Sequence, residues 1–248
     1  MSIASGILAL APVIYWPMDD VGPTTAADLS GNGNPGLFLP GSALRAPGPE
    51  PATYALASGQ PNAGVQIQGL NPIIASPFSQ HVWFASNSMT TINNVLTYVG
   101  NSAGNGCGMV LSGSTVQFLF GGIGFQNTGY VLAAGYWHQL VFVETFPAGN
   151  QTLFVDGVQR FNFFPSGAVP PPTAANPVLA QTPDPGLLAH AAFWSIALTA
   201  TDVTALWAAG PGSVASPPLS GRTANDADVL GIENKLDTIL ASVQRTFP

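Results

Sequence analysis

Residues 136–159 read YWHQLVFVETFPAGNQTLFVDGVQ, and their alternation decides the fold. Trp137–Glu144 sets Gln139, Val141 and Val143 on one side and Leu140, Phe142 and Glu144 on the other. Gln151–Val155 repeats the period, with Leu153 and Val155 against Thr152 and Phe154. Pro147, Ala148, Gly149 and Asn150 lie between the two runs, so the stretch predicts a β-hairpin. Asp156-Gly157 then supplies a second tight turn, because glycine takes the positive φ such turns need. Large apolar residues occupy both sides of the first strand. That predicts a strand buried between two layers.

Strand patterns continue on either side. Val13–Trp16 is ended by Pro17, GVQIQ at 64–68 alternates, and FSQHVWF at 78–84 is strand-like. Asn94–Val99, Gly108–Leu111, Thr115–Phe120 and Leu187–Trp194 follow. Gly121, Gly122 and Gly124 read as a strand-end turn; no helix or lysine follows them, so they do not form a phosphate loop. Residues 40–64 and 165–185 are rich in Pro, Gly or Ala and predict long irregular connections. Thr199 with Asp202 has the capping-box spacing and predicts a short helix through Trp207. Many short strands separated by turn signals predict a β-sandwich or barrel.

Residues 211–224 form a Pro/Gly/Ser linker after a domain at 1–210. Beyond it, Val229, Ile232, Leu236, Ile239 and Val243 recur at alternating spacings of three and four. This is a heptad seam on a helix over 225–248, with acidic Asp228 and Glu233 early in it. A lone helix of that length is marginal in water. It therefore docks on its own domain or gathers copies into a homo-oligomer, and the linker favours the second.

Only 7% of the residues are charged, and the net charge is −7. Such a surface suits a fixed assembly or the binding of neutral polar ligands. Arg45 and Arg160 are the sole cations before residue 210, which excludes nucleic acid and polybasic membrane docking. No apolar run is long enough to span a bilayer, and the N-terminal apolar stretch lacks the basic region of a signal peptide. Cys107 is the single cysteine, so it has no intrachain disulfide and reads as a buried or half-buried thiol.

Six motifs, in order, resemble the laminin-G-like, concanavalin A-like jelly-roll superfamily over residues 10–207. They are Tyr15-Trp16-Pro17-Met18-Asp19, the loop Asp28-Leu29-Ser30-Gly31-Asn32-Gly33-Asn34, and Phe78 with Trp83. Trp137-His138-Gln139-Leu140, Leu153-Phe154-Val155-Asp156-Gly157, and Ala192-Phe193-Trp194 through Ala197-Leu198-Thr199 complete the series. The resemblance implies an all-β, concanavalin A-like jelly-roll sandwich of two antiparallel sheets, with Trp83 and the hairpin in the central layer. It does not fix one function.

Some family members hold calcium with an acidic pair before the last strand, where this chain has Leu187-Leu188-Ala189-His190-Ala191. Asp28 with backbone carbonyls of its Asn-Gly loop is the remaining calcium candidate, against the reading that Asp28 closes its own turn. The paired carboxylates of glycoside hydrolysis are missing: Glu50, Glu144 and Glu233 fall on a loop, the hairpin and the tail. His81, His138 and His190 fall on three strands, and His138 reads as a structural partner. Trp207, Tyr130 and Tyr54 are the candidates for stacking on sugar, with core packing as the alternative.

The sequence thus predicts a non-enzymatic protein without a cofactor. The leading expectation is a bacteriophage virion component, of decoration, spike or fibre type, assembled in the host cytoplasm among other virion proteins. Its lectin-like domain would be displayed to host surface glycan. The alternative is a soluble bacterial carbohydrate-binding module or adhesin.

Overall fold

The computed structural model describes residues 2–212 apart from 21, 23, 59–62, 74–76, 90–93, 102, 146–149, 165–172, 176 and 183–184. The turn residues Pro147, Ala148 and Gly149, the linker and the heptad seam from Val229 to Val243 lie outside the described residues.

Among the described residues, sixteen strands form two antiparallel sheets of eight. Sheet A runs β14 (Val158–Phe163), β13 (Asn150–Val155), β12 (Trp137–Thr145), β7 (Phe78–Ala85), β16 (Leu187–Trp194), β5 (Tyr54–Ser58) and β4 (Ser42–Pro47). Its eighth strand, β1 (Ile14–Trp16), also pairs with β16. Sheet B runs β11 (Gly124–Val131), β10 (Thr115–Phe120), β9 (Asn105–Ser112), β8 (Asn94–Asn101) and β15 (Val178–Thr182). It continues through β6 (Ala63–Ile67), β3 (Gly36–Phe38) and β2 (Thr25–Ala26). The sheets close on one apolar core that includes Phe78, Val82, Phe84, Leu140 and Phe142 from sheet A and Met109, Val116, Phe118 and Phe120 from sheet B.

The hairpin of 136–159 forms as its alternation requires, with Leu140 opposite Val155 and Glu144 opposite Gln151. Even-numbered Leu140 and Phe142 enter the core, while odd-numbered Gln139, Val141 and Val143 are also buried, on the opposite face. Two helices lie against that face. Helix α1 (Ile3–Ala9) starts at a capping box of Ser2 with Ser5, and α2 (Ala200–Ala209) at one of Thr199 with Asp202. They cross where Gly6 meets Ala209; a Cβ on Gly6 would lie 2.7 Å from that of Ala209. The order of layers is helices, sheet A, sheet B.

Two expectations are corrected. Residues 40–64 are not irregular: they hold β4 and β5, and Pro47 is tolerated because β4 is the edge of its sheet. The Pro-rich 165–185 stretch holds β15, which starts directly after Pro177, so its ladder to β6 and β8 survives. The N-terminal apolar stretch is a capped helix, and β11 follows directly on the glycine turn at 121–124.

Candidate functional site

Helices α1 and α2 bury the outer face of sheet A, where Trp207 stacks on Trp83 with centroids 5.5 Å apart at 15°. The outer face of sheet B buries Tyr98, Val110 and Leu119 at its middle, which are 2%, 0% and 8% exposed, and exposes side chains toward its ends. There Phe125 is 49%, Leu37 42% and Val131 59% exposed. Registers place one continuous row across seven strands of this face. Leu37 opposes Gln66, Gln66 opposes Leu179, and Leu179 opposes Tyr98. Tyr98 then opposes Gly108, Gly108 opposes Leu119, and Leu119 opposes Phe125. A second row runs Val95, Val110, Gln117, Asn127. Tyr98, Val110 and Leu119, with Val95 and Leu179, form an apolar patch separate from the main core, which keeps this part of the sheet firm.

No member of either row carries a charge. The face offers an exposed phenyl ring and the amides of Gln66, Gln117 and Asn127, and an amide both donates and accepts as a sugar hydroxyl does. The two cations of residues 1–212 sit elsewhere, on the edge strands of sheet A. Arg45 lies 4.7 Å over the Tyr54 ring and donates to its hydroxyl at 3.1 Å. Arg160 lies 5.2 Å over the Tyr130 ring.

The three sugar-stacking candidates are not brought together. Tyr54 and Tyr130 are each covered by an arginine, and Trp207 is wedged between Trp83 and Gly157. The exposed strand β11 was hidden because 121–124 reads as the end of a strand; the signal was the alternation Phe125, Asn127, Gly129, Val131. Asp28 organises its loop: Oδ1 accepts from the Tyr15 and Ser30 amides at 2.9 and 3.0 Å. Its Oδ2 accepts from the Ser30 hydroxyl and the Asn34 amide, each at 2.8 Å. Those bonds occupy about four lone-pair positions, the capacity of a carboxylate. Among the described residues, no three His, Cys, Asp or Glu side chains cluster as metal ligands.

Glu50, Glu144 and Asp156 serve structure. Glu50 accepts from the Ile3 amide through both oxygens at 3.2 Å, at the start of α1. Glu144 is 3% exposed and accepts the Cys107 thiol in the core, where burial, then the Glu144 carboxylate, push that thiol up. His138 Nδ1 lies 2.8 Å from Asp156 Oδ2 and its Nε2 3.0 Å from the Ala133 carbonyl, so both nitrogens are occupied.

The laminin G pattern of the concanavalin A-like lectin/glucanases superfamily matches residues 58–204. The chain belongs to that superfamily. Among solved structures it is similar to domain 4 of AbnA, a GH43 extracellular arabinanase from Geobacillus stearothermophilus, in complex with arabinotriose. That likeness has a TM-score of 0.60 at 18% identity and covers 79% of this chain and 97% of the domain. It is also similar to Trypanosoma rangeli sialidase in complex with sialic acid, with a TM-score of 0.60 at 11% identity, over 78% of this chain but 32% of the enzyme. The binding domain of Botulinum neurotoxin DC in complex with SialylT gives 0.59 at 12% identity, over 81% of this chain and 52% of that one. At these identities the likeness is one of fold. The chain thus spans about a third of the sialidase and half of the toxin fragment. No curated protein matches the sequence significantly. The superfamily fold is lectin-like, and glycan ligands are seen on its structural neighbours.

Proposed function

We propose that this superfamily member is a non-catalytic binding protein that takes an uncharged glycan on the outer face of sheet B. The observation that carries the reading is the β11 end of the charge-free row, where Phe125 is exposed beside the amides of Gln117 and Asn127 with no counter-charge in the row. Support for glycan as the ligand class comes from the neighbours solved with arabinotriose, sialic acid and SialylT. Hydrolysis is disfavoured because Glu50 and Glu144 are committed to α1 and to the core. The test is a glycan array probed with the full chain and with Phe125→Ala and Gln117→Ala. Binding by the wild type that each variant weakens about tenfold supports the reading, since removing one interface anchor costs about 1.4 kcal/mol or more. Binding unchanged by both variants removes the site.

The setting proposed for this module is a bacteriophage particle, favoured by the 7% charge content and by the seam Val229, Ile232, Leu236, Ile239, Val243. Copies gathered by that helix would multiply weak glycan contacts through effective concentration. Ile232→Asp with Ile239→Asp in the full chain tests it: an unchanged mass in solution removes the oligomer.

A further inference from the structure

A second set of buried polar groups lies on the opposite side of the sandwich, between sheet A and the helices. His81 on β7 and His190 on β16 are 0% and 1% exposed. His81 Nδ1 is 2.9 Å from the His190 carbonyl. A carbonyl only accepts, so Nδ1 carries the proton and Nε2 is the acceptor for the Gln139 amide at 3.4 Å. His190 sits where the β16–β7 register shifts between Ala189 and Ala192, with a φ of 51°. A positive φ at a residue other than glycine marks a position held by its surroundings. Its Nδ1 meets the Tyr15 hydroxyl at 2.8 Å, and its Nε2 has no partner among the described residues. Gln139 Oε1 and the indole nitrogens of Trp83 and Trp137, on the same face, are also buried without a partner among the described residues.

The charged groups around the pair are few. Tyr15 comes from β1, and Asp19 and Glu50 act on Tyr15 from the neighbouring loops. Tyr54 at the start of β5 donates its amide to Asp19 and is covered by Arg45. From β12, Glu144 points into the inter-sheet core. Helix α1 brings no titratable group, and Asp202 of α2 is held in its capping box. Among the described residues no carboxylate contacts either imidazole, so a proton placed there has no counter-ion from them.

We infer that His81 and His190 form an acid-released latch, whose protonation lifts the α1–α2 layer off sheet A before the sandwich comes apart. The order follows from what holds each part. Strands β7, β12 and β16 are hydrogen-bonded on both sides, whereas the helices rest on the sheet through side chains, with few bonds such as Trp194 Nε1 to the Leu10 carbonyl at 3.0 Å. Lifting them is the short route by which water reaches the rings. Burial pulls His81 down to about 4, and burial followed by the charge of His81 pulls His190 to about 3, against an ordinary 6.5. Both folded values are depressed. The closed state is therefore fully favoured above pH 6.5 and loses that advantage as pH falls toward 4.

Hydrogen exchange of the full chain, corrected for the intrinsic pH dependence, tests the latch. Opening that exposes both rings gains two protons, so protection of Ile3–Ala9 and Ala200–Ala209 should fall by up to about 100-fold per pH unit below 6.5. Amides of β8–β10 should keep their protection over the same range. His190→Asn, chosen because asparagine accepts a positive φ, should reduce the slope to about tenfold. Helices and β8–β10 losing protection in parallel, or helices keeping it down to pH 4, would overturn the inference. If His190→Asn does not fold, the wild-type comparison between helices and strands still decides.

Discussion

Asp156 holds His138 through a 2.8 Å contact from Oδ2 to Nδ1 and, with Oδ1, accepts the Gln139 amide at 3.0 Å. One carboxylate thus ties the β13–β14 turn back to the start of β12. Because the other partner of the ring, the Ala133 carbonyl, also only accepts, both ring nitrogens must donate, and the imidazole is cationic.

That geometry sets a pH dependence opposite to that of the latch. Burial lowers the basicity of His138, but the Asp156 hydrogen bond and charge outweigh it, so its pKa is raised. A raised folded pKa gives stability that is complete below about 6.5 and lost as pH rises through the folded value. Asp156→Asn isolates the charge, since asparagine tolerates the φ of 54° at this turn. It should cost about 1.5–3 kcal/mol near pH 6, the range for hydrogen bonds to charged groups. The cost should be smaller near pH 9. Urea unfolding at the two pH values measures both, and a cost independent of pH would show that the ring is neutral.

Trp207 gives a prediction that separates packing from binding. Its ring stacks on Trp83, and a Cβ on Gly157, at a φ of 75°, would come within 2.8 Å of it. Trp207→Ala should destabilise by about 2–4 kcal/mol, as truncation of large packed side chains does. Gly157→Ala should also destabilise, through backbone strain and through displacement of the indole. Neither should change glycan affinity in the protein that remains folded. A loss of affinity at constant stability would return Trp207 to the role the sequence suggested.

The legible parts of this fold were those with local periodicity and turn chemistry. The hairpin of 136–159, the Thr199–Asp202 cap and the Asp28 loop are each written within a few residues, and each stands in the structure. The burial of both faces of β12 was legible too, because Val141 and Phe142 are apolar on opposite sides. What sequence hid was long-range pairing. Strand β15 reads as Pro-rich loop, because its strand character comes from β6 and β8 on either side. Likewise His81 and His190, 109 positions apart, meet only when β7 and β16 pair. Exposure was equally hidden: nothing in the spelling of Tyr54 or Tyr130 announces the arginine over each ring, and Phe125 reads as any core phenylalanine.

A glycan bound on the sheet B face as proposed would meet a neutral surface, and that neutrality predicts how it binds. A sialylated or uronic acid chain would meet no cation of the described residues there, since Arg45 and Arg160 lie on β4 and β14 over tyrosine rings. The protein as a whole repels it through a net charge of −7. Neutral chains should therefore bind in preference to their acidic counterparts, and their affinity should be flat with salt. Raising ionic strength from 0.1 M to 1 M shortens the screening length from about 10 Å to about 3 Å, which would weaken any charge-driven contact. Calorimetric titration of one neutral oligosaccharide and its sialylated form at both salt levels measures this. Tighter binding of the acidic form, or a neutral affinity that falls steeply with salt, would place the ligand on an arginine rather than on the Leu37–Phe125 row.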